Sequence, residues 1–235
     1  MCAYFQFNKL TIFHLTISKI TGIAFLLASL IFAAVTAGAT VAPVDATPTQ
    51  VVLTLLEIVK QIKKADPDKN IVLTDEEKKQ NEALGKQINQ MIDLNGISAY
   101  TLQKHWEKLD NSSRENYVAL FTELLMKVAY PNAGKFLLDL EVSVRKEKER
   151  RNNTIVYTSV IHKEEGRIDI DFKLEPLENR WLLMDVYLDG VSLVRNLRTQ
   201  CLKIIRENSY QELLNRMKRK IQEADTATVN EITGR

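Results

Sequence analysis

The chain has 235 residues, with 32 Lys plus Arg against 30 Asp plus Glu, and two cysteines, Cys2 and Cys201. That balance argues against a nucleic-acid binder, which needs a net basic field to collect phosphates. Two cysteines so placed offer no disulfide framework, so a hydrophobic core has to hold the fold by itself.

Residues 1–39 contain no Asp or Glu, carry Lys9 and Lys19, then run apolar or small from Ile20 to Ala39 and end in Ala37-Gly38-Ala39. Charged, apolar and small-residue regions in that order form a secretory signal pattern, with cleavage expected after Ala39. The alternative is an uncleaved anchor, since Ile20 to Ala37 is near the length that spans a bilayer. Either way the remainder is expected outside the cytoplasm, in the periplasm. Cys2 precedes the apolar stretch, so it is not the acylated cysteine of a lipoprotein signal. Without the two signal lysines the charges balance at 30 against 30. The basic clusters Arg145–Arg151 and Arg216–Lys220 then read as solvated faces.

Residues 40–47 read as a linker, 48–223 as one α+β domain and 224–235 as a flexible tail. Thr47-Pro48 marks a helix start, and Val52, Leu55, Leu56, Val59 and Ile62 form its buried stripe until Asp66-Pro67-Asp68. Thr74 with Glu77 is a capping box for a second helix through Leu84, Ile88 and Ile92. Ser98 is expected to cap a short helix containing Leu102, Trp106 and Leu109. Ser112 with Glu115 should open another, carrying Tyr117, Leu120, Phe121, Leu124, Leu125 and Val128 and stopping before Pro131.

The period then changes from helical to alternating. A strand is expected at Leu140, Val142 and Val144, a charged loop at Arg145 to Asn153, and a second strand at Ile155 to Ile161. Lys163-Glu164-Glu165-Gly166 reads as a hairpin loop. Ile168, Ile170, Phe172 and Leu174 then alternate with Asp169, Asp171 and Lys173, which gives a strand with one dry and one wet face. A turn at Glu178-Asn179, a strand from Trp181 to Leu188 and a turn at Asp189-Gly190 complete a meander. A helix from Leu193 to Arg206 and a last helix capped by Ser209 and Glu212 follow. The expected fold is a helical N-terminal half packed on a curved antiparallel sheet of about four strands, enclosing an apolar pocket.

Catalytic patterns are sparse. His105 and His162 lie on different elements with no ligand at metal spacing, the glycines form no phosphate loop, and Gly190-Val191-Ser192 lacks the second glycine of a nucleophile elbow. Asp169 and Asp171, on the wet face of their strand, read as solvated.

The run Trp181-Leu182-Leu183-Met184-Asp185-Val186-Tyr187-Leu188-Asp189-Gly190-Val191-Ser192-Leu193-Val194-Arg195-Asn196-Leu197-Arg198-Thr199-Gln200 resembles the signature of the toluene-tolerance, or MlaC, family of periplasmic phospholipid-binding proteins. Trp106, Phe121, Leu124, Leu125, Tyr130, the strands around Val156–Val160 and Ile168–Leu174, and Leu213-Leu214 fall in the family's order, so the likeness covers roughly Val51 to Lys220. The chain departs from the family at Gln103, where Gly is frequent, at Phe172, where Tyr is, and at Cys201, where an aromatic is common.

The resemblance implies a soluble, monomeric shuttle with no catalysis, cofactor, metal or nucleic-acid partner. Its cargo is a glycerophospholipid, held tails inward and passed between an outer-membrane lipoprotein complex and an inner-membrane ABC transporter with its substrate-capturing ring, which maintains outer-membrane asymmetry. For the pocket, the expected lining is Val142, Val144, Val156, Val160, Ile170, Phe172, Met184, Val186, Val191 and Val194, with Phe121 and Leu125 from the long helix. Arg195 and Arg198 are the candidates for a headgroup phosphate. Two other readings remain: an anchored periplasmic protein-interaction adaptor, and a small cone-shaped α+β enzyme, which would need a buried, pKa-shifted carboxylate or histidine in its cavity.

Overall fold

The computed structural model describes residues 46–66, 71–163 and 165–229, so the expected signal segment, most of the linker and part of the tail lie outside the described residues. Helix α1 (Pro48–Gln61) begins where Thr47 accepts the Gln50 amide while Gln50 returns a bond to the Thr47 amide. It ends at Ile62, before the expected Asp66-Pro67-Asp68 stop; Asp66 instead makes an antiparallel bridge with Ile71. Helix α2 (Asp75–Asn89) has the expected box between Thr74 and Glu77.

Two helix starts differ from expectation. Helix α3 (Leu94–Leu102) starts behind Asp93, whose carboxylate accepts the Gly96 amide; Ser98 is buried inside it. The chain breaks at Gln103, with φ 49°, before the short α4 (Lys104–Glu107). Helix α5 (Asn111–Leu124) is capped by Asp110, which accepts the Ser113 amide, so Ser112 and Glu115 form no box. In both cases a carboxylate sits a few residues ahead of the serine and is the stronger amide acceptor.

Nor does this helix stop before Pro131. A π-helical turn, Leu125–Ala129, leads directly into α6 (Tyr130–Leu137), with Pro131 in its first turn. The wider turn ahead of the proline is where the missing N–H and the ring are absorbed.

The sheet has strands β1 (Val142–Arg150), β2 (Asn153–His162), β3 (Gly166–Leu177), β4 (Arg180–Leu188) and the two-residue β5 (Val191–Ser192), antiparallel and in sequential order. Arg145 to Asn153 is thus no loop. Arg145–Arg150 continues β1 as an outer strand, where alternating Lys and Glu are tolerated because one edge meets solvent. The turns at Glu178-Asn179 and Asp189-Gly190 are as expected, all four residues at positive φ. Two bulges bend the sheet: Arg145 is the extra residue of β1 and Met184 that of β4. Near the second bulge Leu183 also pairs through its backbone with Met91 and Asp93, which fastens the end of α2 to β4.

Helix α7 (Leu193–Glu207) follows β5 with Ser192 as its cap, and α8 (Tyr210–Val229) is held at its start by Ser209, which accepts the Glu212 amide. It runs past the boundary expected at residue 223. Among the described residues no helix is long and apolar enough to cross a membrane. The architecture is α+β.

Candidate functional site

Strand register decides which side chains share a face. The pairs Val156 with Phe172, Thr158 with Ile170, Val160 with Ile168, and Thr154 with Leu174 place one row of β2 and β3 on the same side. Leu183, Val186 and Leu188 of β4 continue that side through their partners Leu174, Phe172 and Ile170. Val142 extends it at β1, opposite Val160. Helix α1 lies over this face with Val52, Leu55, Leu56 and Val59, and Ile88, Tyr130 and Leu137 complete the buried cluster. Thr158, also on this side, is satisfied by donating its hydroxyl to the Ile170 carbonyl, so it adds no unpaired polar group.

Around this buried centre is a ring of apolar side chains only partly covered: Ile92, Leu125, Met126, Ala129, Ala133, Phe136, Val142, Trp181, Val186 and Leu188. Five of them come from the π turn and α6. The Tyr130 hydroxyl donates to Asn89 at 2.8 Å, and the Asn89 amide donates to the Met126 sulfur at 3.2 Å. Burial pushes the Tyr130 phenol far above its ordinary range, so it stays neutral.

Of the expected lining, Val156, Val160, Ile170 and Phe172 are buried in the cluster, and Val142, Val186 and Leu125 pack against it. Phe121 is buried in the helical layer, its ring stacked on Tyr117 at 6.4 Å. By register Val144, opposite Thr158, and Val191, opposite Leu188, share the cluster's side of the sheet but are exposed at its two edges. Met184 is the half-buried bulge residue, and Val194 is half-buried in the first turn of α7, its amide donating to Asp185 at 3.1 Å. Neither arginine faces the cluster. Arg195 is exposed beside Tyr187, and Arg198 lies 4.8 Å over the Tyr100 ring. Met126, Ala129, Ala133 and Phe136 were not expected: the first two lie off the stripe Tyr117, Leu120, Phe121, Leu124, Leu125 and Val128, and the last two lie beyond Pro131, which was read as the end of the helix.

The wet face of β3 is more ordered than solvated. Arg145, turned by its bulge, pairs with Asp169 at 3.0 Å and Asp171 at 3.2 Å, and Arg167 also holds Asp169. Burial nevertheless raises the Asp171 carboxyl, against the pull of Arg145. His162 stacks on Phe136 at 6.3 Å. Among the described residues no group of three or more His, Cys, Asp or Glu is placed to hold a metal ion.

Sequence and shape comparisons agree with the likeness drawn from the Trp181–Gln200 run. The family model for the MlaC protein matches residues 51–219. The chain belongs to the MlaC family. No curated protein matches it. Among solved structures it is similar to the phospholipid-binding protein from Ralstonia solanacearum in complex with a phospholipid, with a TM-score of 0.61 and 16% identity, over 77% of this chain and 99% of that one. At that identity the likeness speaks for the fold.

The MlaC signature itself has a structural meaning here. Asp185, Gly190 and Ser192 build the joint between β4 and α7: Gly190 takes φ 79° in the turn, and Ser192 accepts the Arg195 amide while donating to Asp185. In this MlaC-family chain the signature residues Asp185, Gly190 and Ser192 hold the joint.

Proposed function

We propose that this MlaC-family chain is a phospholipid carrier of the periplasm. It takes a glycerophospholipid with its acyl chains against the apolar face of the sheet and passes it between an outer-membrane lipoprotein complex and an inner-membrane ABC transporter with its substrate-capturing ring. The reading is supported above all by the family membership, by the phospholipid held in the similar Ralstonia solanacearum structure, and by the partly covered apolar side chains packed against the sheet cluster.

The energetics set how the carrier works. At about 0.8 kcal/mol per methylene, two acyl chains with about fourteen buried methylenes each gain over about 20 kcal/mol on leaving water. Release into water is then negligible, and lipid moves only in contact with a partner that offers an equivalent apolar path. The reaction is binding and release, with no bond made or broken.

The test is to purify the protein from its native envelope, extract it with organic solvent and identify the extract by mass spectrometry. About one phospholipid per chain is expected. A lipid-free protein from the same preparation, unable to take up phospholipid from vesicles, overturns the proposal.

A further inference from the structure

The structure treats its two basic clusters differently. On α8, Arg216 and Arg219 both bond Glu212, at 2.8 and 3.0 Å, and Lys220 bonds Glu223 at 2.6 Å, so three of its four cations are paired within the helix. On β1 the bulge at Arg145 resets the alternation so that Lys146, Lys148 and Arg150 share one side and Glu147 and Glu149 the other. Glu147 is held by the start of α1, accepting from the Thr49 amide at 3.1 Å and hydroxyl at 2.6 Å. The cations are left in a straight row about 7 Å apart, all exposed, and Arg151 in the following turn extends it.

Register identifies the groups that share their side: Tyr157, Asp171 and Tyr187 level with Lys146, and Ile155, Lys173 and Asp185 level with Lys148. The acids among them are already engaged. Asp171 and Asp169 pair with Arg145, Glu175 pairs with Lys173 at 2.6 Å, and Asp185 caps α7. Lys146 rests 4.6 Å over the Tyr157 ring, which leaves its charge intact. Among the described residues Lys148, Arg150 and Arg151 form no ion pair. At the same end of the sheet the β3–β4 hairpin presents Leu177, 47% exposed, with Arg180 beside it and Glu178 in the turn.

We propose that the row Lys146, Lys148, Arg150 and Arg151, with Leu177 at the neighbouring hairpin, docks this protein on the surface of an anionic bilayer. The inference goes beyond the carrier reading and does not rest on it. Aligned, unpaired cations beside an exposed aliphatic side chain match the chemistry of a headgroup layer, where each basic residue contributes about fivefold in affinity and the contact falls with salt. An acidic protein surface would match the cations and leave Leu177 without a role. The remainder of the chain after Ala39 then carries 26 basic against 30 acidic residues, so attachment by four cations is weak and reversible.

The experiment is co-sedimentation of the whole protein with vesicles of phosphatidylcholine containing about 30 mol% phosphatidylglycerol, and with phosphatidylcholine alone, at about 20 mM and about 300 mM salt. Binding is expected only to the anionic vesicles at low salt. K148E/R150E/R151E should lose it by about a hundredfold or more, with K148Q/R150Q/R151Q as the second variant should the reversal fail to fold. K203E/R206E/K218E, equal in charge change but on α7 and α8, should keep most of it. The proposal is overturned if the wild type does not bind anionic vesicles, or if the α7/α8 variant weakens binding as much as the β1 variant. Phospholipid extracted from the β1 variant reports on the carrier reading separately.

Discussion

Asp185 reaches from β4 to Ser192 and fixes it from two sides: one carboxylate oxygen accepts the Ser192 hydroxyl at 2.5 Å and the other accepts the Val194 amide at 3.1 Å. Ser192 in turn accepts the Arg195 amide at 2.9 Å. Two of the free amides at the start of α7 are thereby satisfied, and a negative charge lies where the helix dipole favours it. The strand end, the turn and the helix act as one joint.

Loss of that joint should register in stability. Asp185→Ala is expected to lower the unfolding free energy by about 2 kcal/mol and Ser192→Ala by about 1 kcal/mol. The double variant should cost less than the two together, because the residues share one network. Urea titration followed by circular dichroism measures all three.

Gln103 sits at φ 49°, ψ −126°, a backbone region that suits glycine. Gln103→Gly should therefore stabilise the protein by about 1 kcal/mol, and Gln103→Ala should not. An equal effect of both in thermal unfolding would place the strain elsewhere.

Gly134 lets α6 approach the end of α1. A Cβ there would lie 2.5 Å from the Ile62 carbonyl oxygen and 2.7 Å from that of Val59, both backbone atoms that cannot rotate away. Gly134→Ala is expected to cost about 2 kcal/mol or more, although alanine favours helix. A neutral or stabilising result in denaturant titration would mean that the two helices separate easily.

The Cys201 thiol is buried among α3, α5 and α7, near the Tyr117 hydroxyl at 3.8 Å, and burial pushes it up to about 11. At pH 8 it should resist a disulfide reagent in the native state and react on unfolding. Since its pKa is raised on folding, its contribution to stability is complete below about pH 8.5 and declines as pH rises toward 11. A stoichiometric, rapid native reaction would contradict the packing of this layer.

The proposed lipid site can be tested at the smallest of the partly covered side chains. Ala129 and Ala133 are only partly covered, so Ala133→Phe is expected to fold normally and to reduce co-purified phospholipid severalfold. Val156 is completely buried, and glutamate there should unfold the domain, which makes it the poorer probe. Unchanged lipid content in folded Ala133→Phe would remove α6 from the site.

What could be read from the chain depended on how local the cause was. The alternation of Ile168, Ile170, Phe172 and Leu174 names a dry face without any tertiary information, and Thr74 with Glu77 places a helix start to the residue. The strand at Arg145–Arg150 was illegible because its pairing with β2 outweighs a composition that reads as loop. The continuation through Pro131 was hidden for the opposite reason: proline is a strong local stop, overridden only by a π turn and by Gly134 packing on α1.

By itself the sequence determined the α+β order, the buried stripes and the family, because those rest on periodicity and on a contiguous signature. Only the tertiary structure decided which apolar residues meet. Phe121 and Leu125 lie one helical turn apart, yet Phe121 packs on Tyr117 and Leu125 borders the sheet cluster. The same holds for charge, since Arg216 and Lys148 look alike in sequence and differ in whether an acid lies within reach. Burial and pairing are set by neighbours distant along the chain, and folding alone brings those together.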